Sequence, residues 1–420
     1  MDFSTTLKRF GVEQLIRYLH KDPEKNMLRL MDWADKFAKG EFVSQRKLIR
    51  EAISTPAHPY YPFVRRLFTD LDEGVMQAMA ANFFINAALV GWPKQEEMRQ
   101  KYGCNIPWTI LLDPTSACNL HCTGCWAAEY GNKLNLTFDE IDNIIQQGKA
   151  LGIYMYIYTG GEPLVRKGVD QLVAGLKAIP GIRKVTMTTN GILLAQQLPA
   201  LLAAGLDSVN ISLDTLRPEV FQSITARDEF EHVMEGIHAA LDSGIPVKLN
   251  CVPQVGVNEG ELEDLAALAE SRPLQVRFIE MMPIGYGAAM PCISGPELRE
   301  RFARRWPEFS PLPAAQSAGF GDGPAVYYTV PGWKGDVGFI AAVHGKFCAS
   351  CNRVRLTSQG FLRPCLASET GCDLRTLLRG GAADEELLQA IRETIWSKPR
   401  EHHFGDNSMP ATRGMYRIGG

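Results

Sequence analysis

The stretch Trp108-Thr-Ile-Leu-Leu-Asp-Pro-Thr-Ser-Ala-Cys118-Asn-Leu-His-Cys122-Thr-Gly-Cys125-Trp126 decides the fold. It begins as a short β-type run, Thr109-Ile-Leu-Leu112, and continues as a polar loop carrying three thiols. Further β-type runs follow at Tyr154–Tyr158, Lys184–Met187, Ser208–Ser212, Val247–Cys251 and Gln275–Ile279. Apolar residues at helical spacing fill the gaps over Phe138–Leu151, Val169–Ala178, Leu194–Ala203, Asp228–Ser243 and Glu259–Glu270. Six strands alternating with five helices predict an α/β fold: a parallel sheet with right-handed crossovers. Reactive groups in such sheets lie beyond the carboxyl ends of the strands. The cysteine motifs are expected there.

On either side of this core the pattern changes. Residues 1–105 read as a helical leader, with Thr55–Pro62 as a turn. The strand–helix core covers 106–290. Residues 291–420 form a third, α+β region: a Pro-, Ala- and Gly-rich loop at 311–325, strands near 326–330 and 336–343, a second cysteine group and a helix near 384–396.

The net charge of −3 and pI of about 6.3 argue against a nucleic-acid partner, whose binding domains are usually basic. The N-terminus lacks the apolar run of a secretory signal. Val75–Trp92 is the most apolar stretch, but Gln77, Asn82 and Asn86 interrupt it, so it reads as a buried or surface helix and membrane contact is not expected. Ten cysteines in a chain read as cytoplasmic point to metal or redox chemistry rather than disulfides.

Cys118, Cys122 and Cys125 can wrap one inorganic cube, because thiolates are the soft ligands that iron–sulfur clusters select. Three ligands for four irons leave one iron open to a small molecule. The alternative is a structural zinc site, which normally needs a fourth ligand. After the second strand comes Thr159-Gly-Gly-Glu-Pro163, whose glycines would let the backbone approach a ligand. The second group is Cys348-Ala-Ser-Cys351-Asn-Arg353-Val-Arg355 with Cys365, next to the cation Lys346. A zinc knuckle completed by Cys372 is its alternative. Cys104, Cys251, Cys292 and Cys372 read as buried small hydrophobes, and His402 and His403 as surface residues.

The C-x3-C-x2-C spacing, the Gly-Gly-Glu-Pro turn and Ser212-Leu-Asp214 resemble the radical S-adenosylmethionine (SAM) superfamily. That resemblance implies a partial (β/α)6 barrel and a [4Fe–4S] cluster on Cys118, Cys122 and Cys125. SAM would bind the open iron and be cleaved to a 5′-deoxyadenosyl radical, with Gly160, Gly161, Glu162 and Ser212 among its contacts.

From about residue 166 to the end, Thr188-Thr-Asn-Gly191, Val247-Lys-Leu-Asn250, Arg277-Phe-Ile-Glu-Met-Met-Pro283, the Cys-Asn-Arg-Val-Arg run and Gly419-Gly420 resemble the GTP 3′,8-cyclases of molybdenum cofactor biosynthesis. This implies a second [4Fe–4S] cluster on Cys348, Cys351 and Cys365, and GTP contacts from Thr188, Lys248, Arg277, Arg353 and Arg355. Met282 would join the SAM site, and the Gly-Gly tail would enter the active site. A reducing electron donor and a homodimer complete the implied partners.

The front of the chain, to about residue 165, resembles a different bacterial radical SAM group with a helical leader. A seam is therefore expected at Gly160–Arg166, as in a fusion or chimera. Leu111 and Ile157 stand where the cyclases carry basic residues, and Gly124 where they carry an aromatic one. The leading reading is the lyase-type conversion of GTP to 3′,8-cyclo-7,8-dihydro-GTP. The alternatives are a radical SAM reaction on a peptide or other substrate, and a cluster-binding chimera without turnover.

Overall fold

The structure is a computed structural model. It describes most of residues 109–404, except 124, 126–134, 154, 181, 284–289, 313–322, 346, 349–350, 352, 369, 400 and 403. Before 109 it describes scattered positions between 18 and 107. The chain divides into two compact units, Met1–Glu97 and Met98–Gly420. In the first, the described positions are helical except Thr55. Most of that segment, Val75–Trp92 included, lies outside the described residues, as do Lys346, His403, Cys104 and the Gly-Gly tail. No helix among the described residues is long and apolar enough to cross a membrane.

The second unit holds one sheet of twelve strands. The six expected strands are β1 (Thr109–Thr115), β2 (Met155–Gly160), β3 (Lys184–Thr189), β4 (Ser208–Ser212), β5 (Val247–Cys251) and β6 (Leu274–Ile279), each paired in parallel with the next. Between them run helices α1 (Phe138–Ala150), α2 (Val169–Ala178), α3 (Leu194–Ala203), α4 (Pro218–Thr225), α5 (Phe230–Asp242) and α6 (Leu262–Ser271). Local chemistry sets their ends. Thr137 and Glu140 form a reciprocal capping box at the start of α1, of the kind that contributes about 1 kcal/mol. Helix α4 was not expected, because its eight residues give too short a period to detect.

The C-terminal chain adds strands to both sides of this core. β9 (Asp336–Ile340) pairs in parallel with β6, and β8 (Val326–Thr329) and β7 (Ser310–Pro311) follow antiparallel. β10 (Arg353–Leu356) pairs in parallel with β1, and β11 (Phe361–Arg363) and β12 (Cys372–Asp373) follow antiparallel. Helices α7 (Gly295–Arg305), α8 (Leu374–Arg379) and α9 (Asp384–Trp396) complete the unit.

Strand alternation separates two faces. Ile110, Leu112, Tyr156, Tyr158, Val185, Met187, Val209, Ile211, Val276 and Phe278 are buried in the apolar core beneath the helices. The other face is mostly polar, with side-chain contacts from Asn210 to Thr188, Thr186 to Ser208 and Arg277 to Asn250. A flat sheet would hold β10 and β6 about 30 Å apart, six spacings of ~4.8 Å. The guanidinium groups of Arg353 on β10 and Arg277 on β6 nevertheless lie close enough for the charge of one to act on the other. The sheet is therefore rolled into a partial barrel with the polar face inside.

Candidate functional site

The first cysteine loop leaves the carboxyl end of β1 and is fastened from two sides. Gly161 N–H donates to Thr115 O (3.1 Å) and Glu162 N–H to Ala117 O (2.7 Å). His121 and Thr123 N–H donate to Thr225 O and Ile224 O, at the end of α4. The glycines also serve the cysteine loop. A Cβ on Gly161 would stand 2.2 Å from Ala117 O, and one on Gly160 would stand 2.6 Å from Asp113 Cβ. Their close approach is to the cysteine loop itself, and Gly160 also has a positive φ of 95°.

Glu162 lies in the middle of this junction and is buried. Its carboxylate accepts hydrogen bonds from Leu164 N (3.0 Å), Thr189 Oγ1 (2.7 Å) and Asn190 N (2.7 Å). Burial nevertheless pushes its pKa up to about 7. Asn190 passes the link to the loop, donating to Asn119 Oδ1 (2.7 Å) and to Cys118 Sγ (3.8 Å), which also accepts from Leu120 N (3.4 Å). Burial raises Cys118 to about 11; burial, then the neighbouring Cys125 and Cys118, raises Cys122 to about 12. Burial thus favours the neutral thiols, and a bound cationic centre would displace their protons, which is how metal binding couples to ligand pKa.

The second group occupies the other end of the barrel. Thr109 at the start of β1 is registered with Arg353 at the start of β10, so Cys348 and Cys351 sit at the amino ends of the strands. β11 runs antiparallel to β10 and carries the chain back to Cys365, which feels the charges of Cys351 and Cys348. This corrects the expectation that both motifs lie beyond the carboxyl ends: a parallel strand that follows its motif, rather than preceding it, puts the motif at the amino end. Burial raises the Cys351 thiol, but Lys398 and Arg353 outweigh it and hold the pKa below the ordinary value. β1 has seven residues, which at ~3.3 Å each puts about 20 Å between the two ends.

Between the ends lie the expected substrate contacts. Thr188, Asn210 and Lys248 are registered neighbours on β3, β4 and β5. Arg277 donates twice to Asn250 Oδ1 (2.9 and 2.6 Å) and hydrogen-bonds Tyr327. A Cβ on Gly338 would stand 2.9 Å from the Tyr327 ring and 3.1 Å from Arg277 Cγ, so only glycine leaves both in place. Burial depresses Arg353 to about 10, with Arg355 and Arg277 adding to the fall and Cys351 opposing it. Ser212 is exposed at the end of β4, and Met282 is half-buried beyond β6.

The donor sets fit iron–sulfur ligation. All six cysteines are free thiols in two groups of three, and Cys118 and Cys351 already receive N–H donors at sulfur. Among the described residues, no three ligating side chains converge on a single metal ion. The fit therefore rests on thiol type, number and placement.

Asn190, Asn250, Tyr327 and Lys398 were missed as site residues. The period-2 pattern of Val247-Lys-Leu-Asn-Cys251 could have placed Asn250 beside Lys248; nothing local marks Lys398. Two minor expectations are overturned. Cys292 is exposed, unlike the buried Cys251, and His402 is buried, its ring tilted against Phe404 with centroids 4.3 Å apart.

Comparison with known proteins bears on the family and the fold. The Radical SAM superfamily matches residues 112–269, and Molybdenum Cofactor Synthesis C matches 274–404. The GTP 3′,8-cyclase of Heliobacterium modesticaldum is 43% identical over 321 residues, covering 74% of this chain and 97% of that protein. The chain belongs to the GTP 3′,8-cyclase family. The cyclase of Clostridium perfringens (strain SM101) is 37% identical over 328 residues, 77% of this chain and all of that protein. These shares exceed residues 166–420, so the cyclase likeness continues upstream of the expected seam and takes in the first cysteine loop. About a quarter of the chain lies outside these alignments. Among solved structures, Streptococcus suis SuiB bound to S-adenosylmethionine matches at a TM-score of 0.50 and 15% identity, over 97% of this chain and 87% of that one. At that identity the likeness concerns the fold.

Proposed function

We propose that this radical SAM enzyme joins C3′ of the ribose of GTP to C8 of its guanine, the first reaction of molybdenum cofactor assembly. The observation that carries the reading is the placement of Lys248, Arg277, Arg353 and Arg355 inside one barrel, between a three-cysteine group at each end. When bound, a [4Fe–4S] cluster at each group, with SAM at the first, supplies the electron and the carbon radical of such chemistry.

The chain's own residues bind, orient and shield. Arg277 is buried, and burial lowers its pKa, as it does for Arg353 and Arg355. Crowded cations in a poorly solvated interior gain from a polyanion, and guanidinium suits phosphate oxygens. The Asn250 and Tyr327 contacts fix the Arg277 fork before substrate arrives, which lowers the entropy lost on binding. Thr188 lines the nucleotide. Gly160, Gly161, Glu162, Ser212 and Met282 surround the SAM position, the Gly-Gly-Glu segment through its backbone and its hold on the cysteine loop. An external reducing donor, a cytoplasmic location that keeps the thiols reduced, and a homodimer belong to the same reading.

A second reading, the same radical chemistry on a less charged substrate, is favoured by Leu111 and Ile157, which face the interior beside Arg355. The deciding experiment is GTP titration of the anaerobically reconstituted protein, followed by turnover with SAM and dithionite. Saturable GTP binding and a cyclised product are expected. SAM cleavage without GTP binding would favour the second reading.

A further inference from the structure

Lys398 follows α9 and lies outside every motif to which chemistry has been assigned. Its ammonium donates to three acceptors in one short segment: Cys351 O at 3.1 Å, Cys351 Sγ at 3.3 Å and Arg353 O at 2.5 Å. An ammonium has three N–H donors, and this segment engages all of them. The two residues held are a thiol of the second group and a guanidinium expected to meet the substrate.

We propose that Lys398 is a positioning residue of the second cysteine group: it fixes the Cys351 sulfur and the start of β10 in one geometry and puts a positive charge beside the cluster those cysteines take up. The proposal rests on the reading that Cys348, Cys351 and Cys365 hold an iron–sulfur cluster. The potential of such a cluster follows its net charge and the hydrogen bonds to its sulfurs. A cation 3.3 Å from a ligating sulfur favours the reduced, more negative state and so raises the potential. The same ammonium holds the Arg353 carbonyl, which sets where the Arg353 side chain leaves β10. A lysine that only stabilised the turn after α9 would change neither quantity.

The test uses the full chain, reconstituted anaerobically. In a background with Cys118, Cys122 and Cys125 replaced by Ala, only the second cluster is titrated. Lys398→Met should lower the iron bound or make the cluster's midpoint potential more negative, with a changed electron paramagnetic resonance signal. Lys398→Arg, which keeps the charge, should show little of this shift. In the chain with both groups intact, Lys398→Met should raise the KM for GTP roughly tenfold, the effect expected for one disturbed charged contact. The circular dichroism spectrum and the thermal unfolding midpoint should stay near the parent and thereby report an intact barrel.

Parent values of iron, potential and KM in Lys398→Met would overturn the proposal. If Lys398→Met loses the folded spectrum, the barrel is damaged and Lys398→Gln decides, since it keeps donors but loses the charge. A more negative potential there supports the proposal, and an unchanged one overturns it. If the Cys118, Cys122, Cys125 background takes up no cluster while Lys398 is present, the two-cluster reading fails first and the proposal falls with it.

Discussion

Leu111 on β1 and Arg355 on β10 are registered neighbours across a parallel strand pair, and Ile157 on β2 flanks Leu111 on its other side. Two apolar side chains thus lie beside a guanidinium on the face where a polyanion is expected. A hydrogen bond to a charged group contributes roughly 1.5–3 kcal/mol, so two absent contacts cost about 3–6 kcal/mol if they act independently. That is on the order of a hundredfold to ten-thousandfold in affinity. Leu111→Arg and Ile157→Arg, singly and together, should tighten GTP binding measured by calorimetry. No gain in any variant with the clusters intact would favour a substrate other than GTP.

Iron content tests the two groups separately. Each three-cysteine set should hold four irons, so the reconstituted chain should bind about eight. Replacing Cys348, Cys351 and Cys365 with Ala should halve the iron and leave reductive SAM cleavage in place. Replacing Cys118, Cys122 and Cys125 should halve it and abolish 5′-deoxyadenosine formation. Zinc at one atom per site would refute the assignment.

Gly161 should tolerate no side chain. Its Cβ would meet Ala117 O at 2.2 Å and Ser116 C at 2.7 Å, both backbone atoms of the cysteine loop. Gly161→Ala should displace that loop, lower stability by about 1–3 kcal/mol and cut SAM cleavage far more than second-cluster iron. Gly260→Ala, with no atom within 4 Å of its Cβ, is the control and should change neither in denaturation or turnover assays.

Glu162 gives the protein a pH dependence of definite sign. Burial raises its carboxyl from 4.5 to about 7 in the folded chain, so the folded state holds the proton more tightly than the unfolded state. Its contribution to stability is full below pH 4.5, is lost as pH rises through about 7, and is level above that. The span amounts to about 3 kcal/mol. Urea unfolding of the apoprotein across this range should show the decline, and Glu162→Gln should flatten it. An equal slope in the variant would assign the decline to other groups.

The strand–helix core could be read from residues because its signals are local. Val169–Ala178 and Leu194–Ala203 were bounded correctly by apolar spacing. Helix α4 was too short for periodicity to reveal, and the buried His402 lies against the Phe404 ring two residues on.

The sequence alone determined the order and type of the six parallel strands, the two thiol groups and the cations Lys248, Arg277, Arg353 and Arg355, since alternation and spacing are properties of neighbouring residues. Tertiary structure decided what depends on pairing between distant segments. Registering β10 with β1 sent the second cysteine group to the opposite end of the barrel. Rolling the sheet brought Arg353 toward Arg277. Folding the end of α9 back onto β10 set Lys398 against Cys351, a contact across 47 residues that no local pattern encodes.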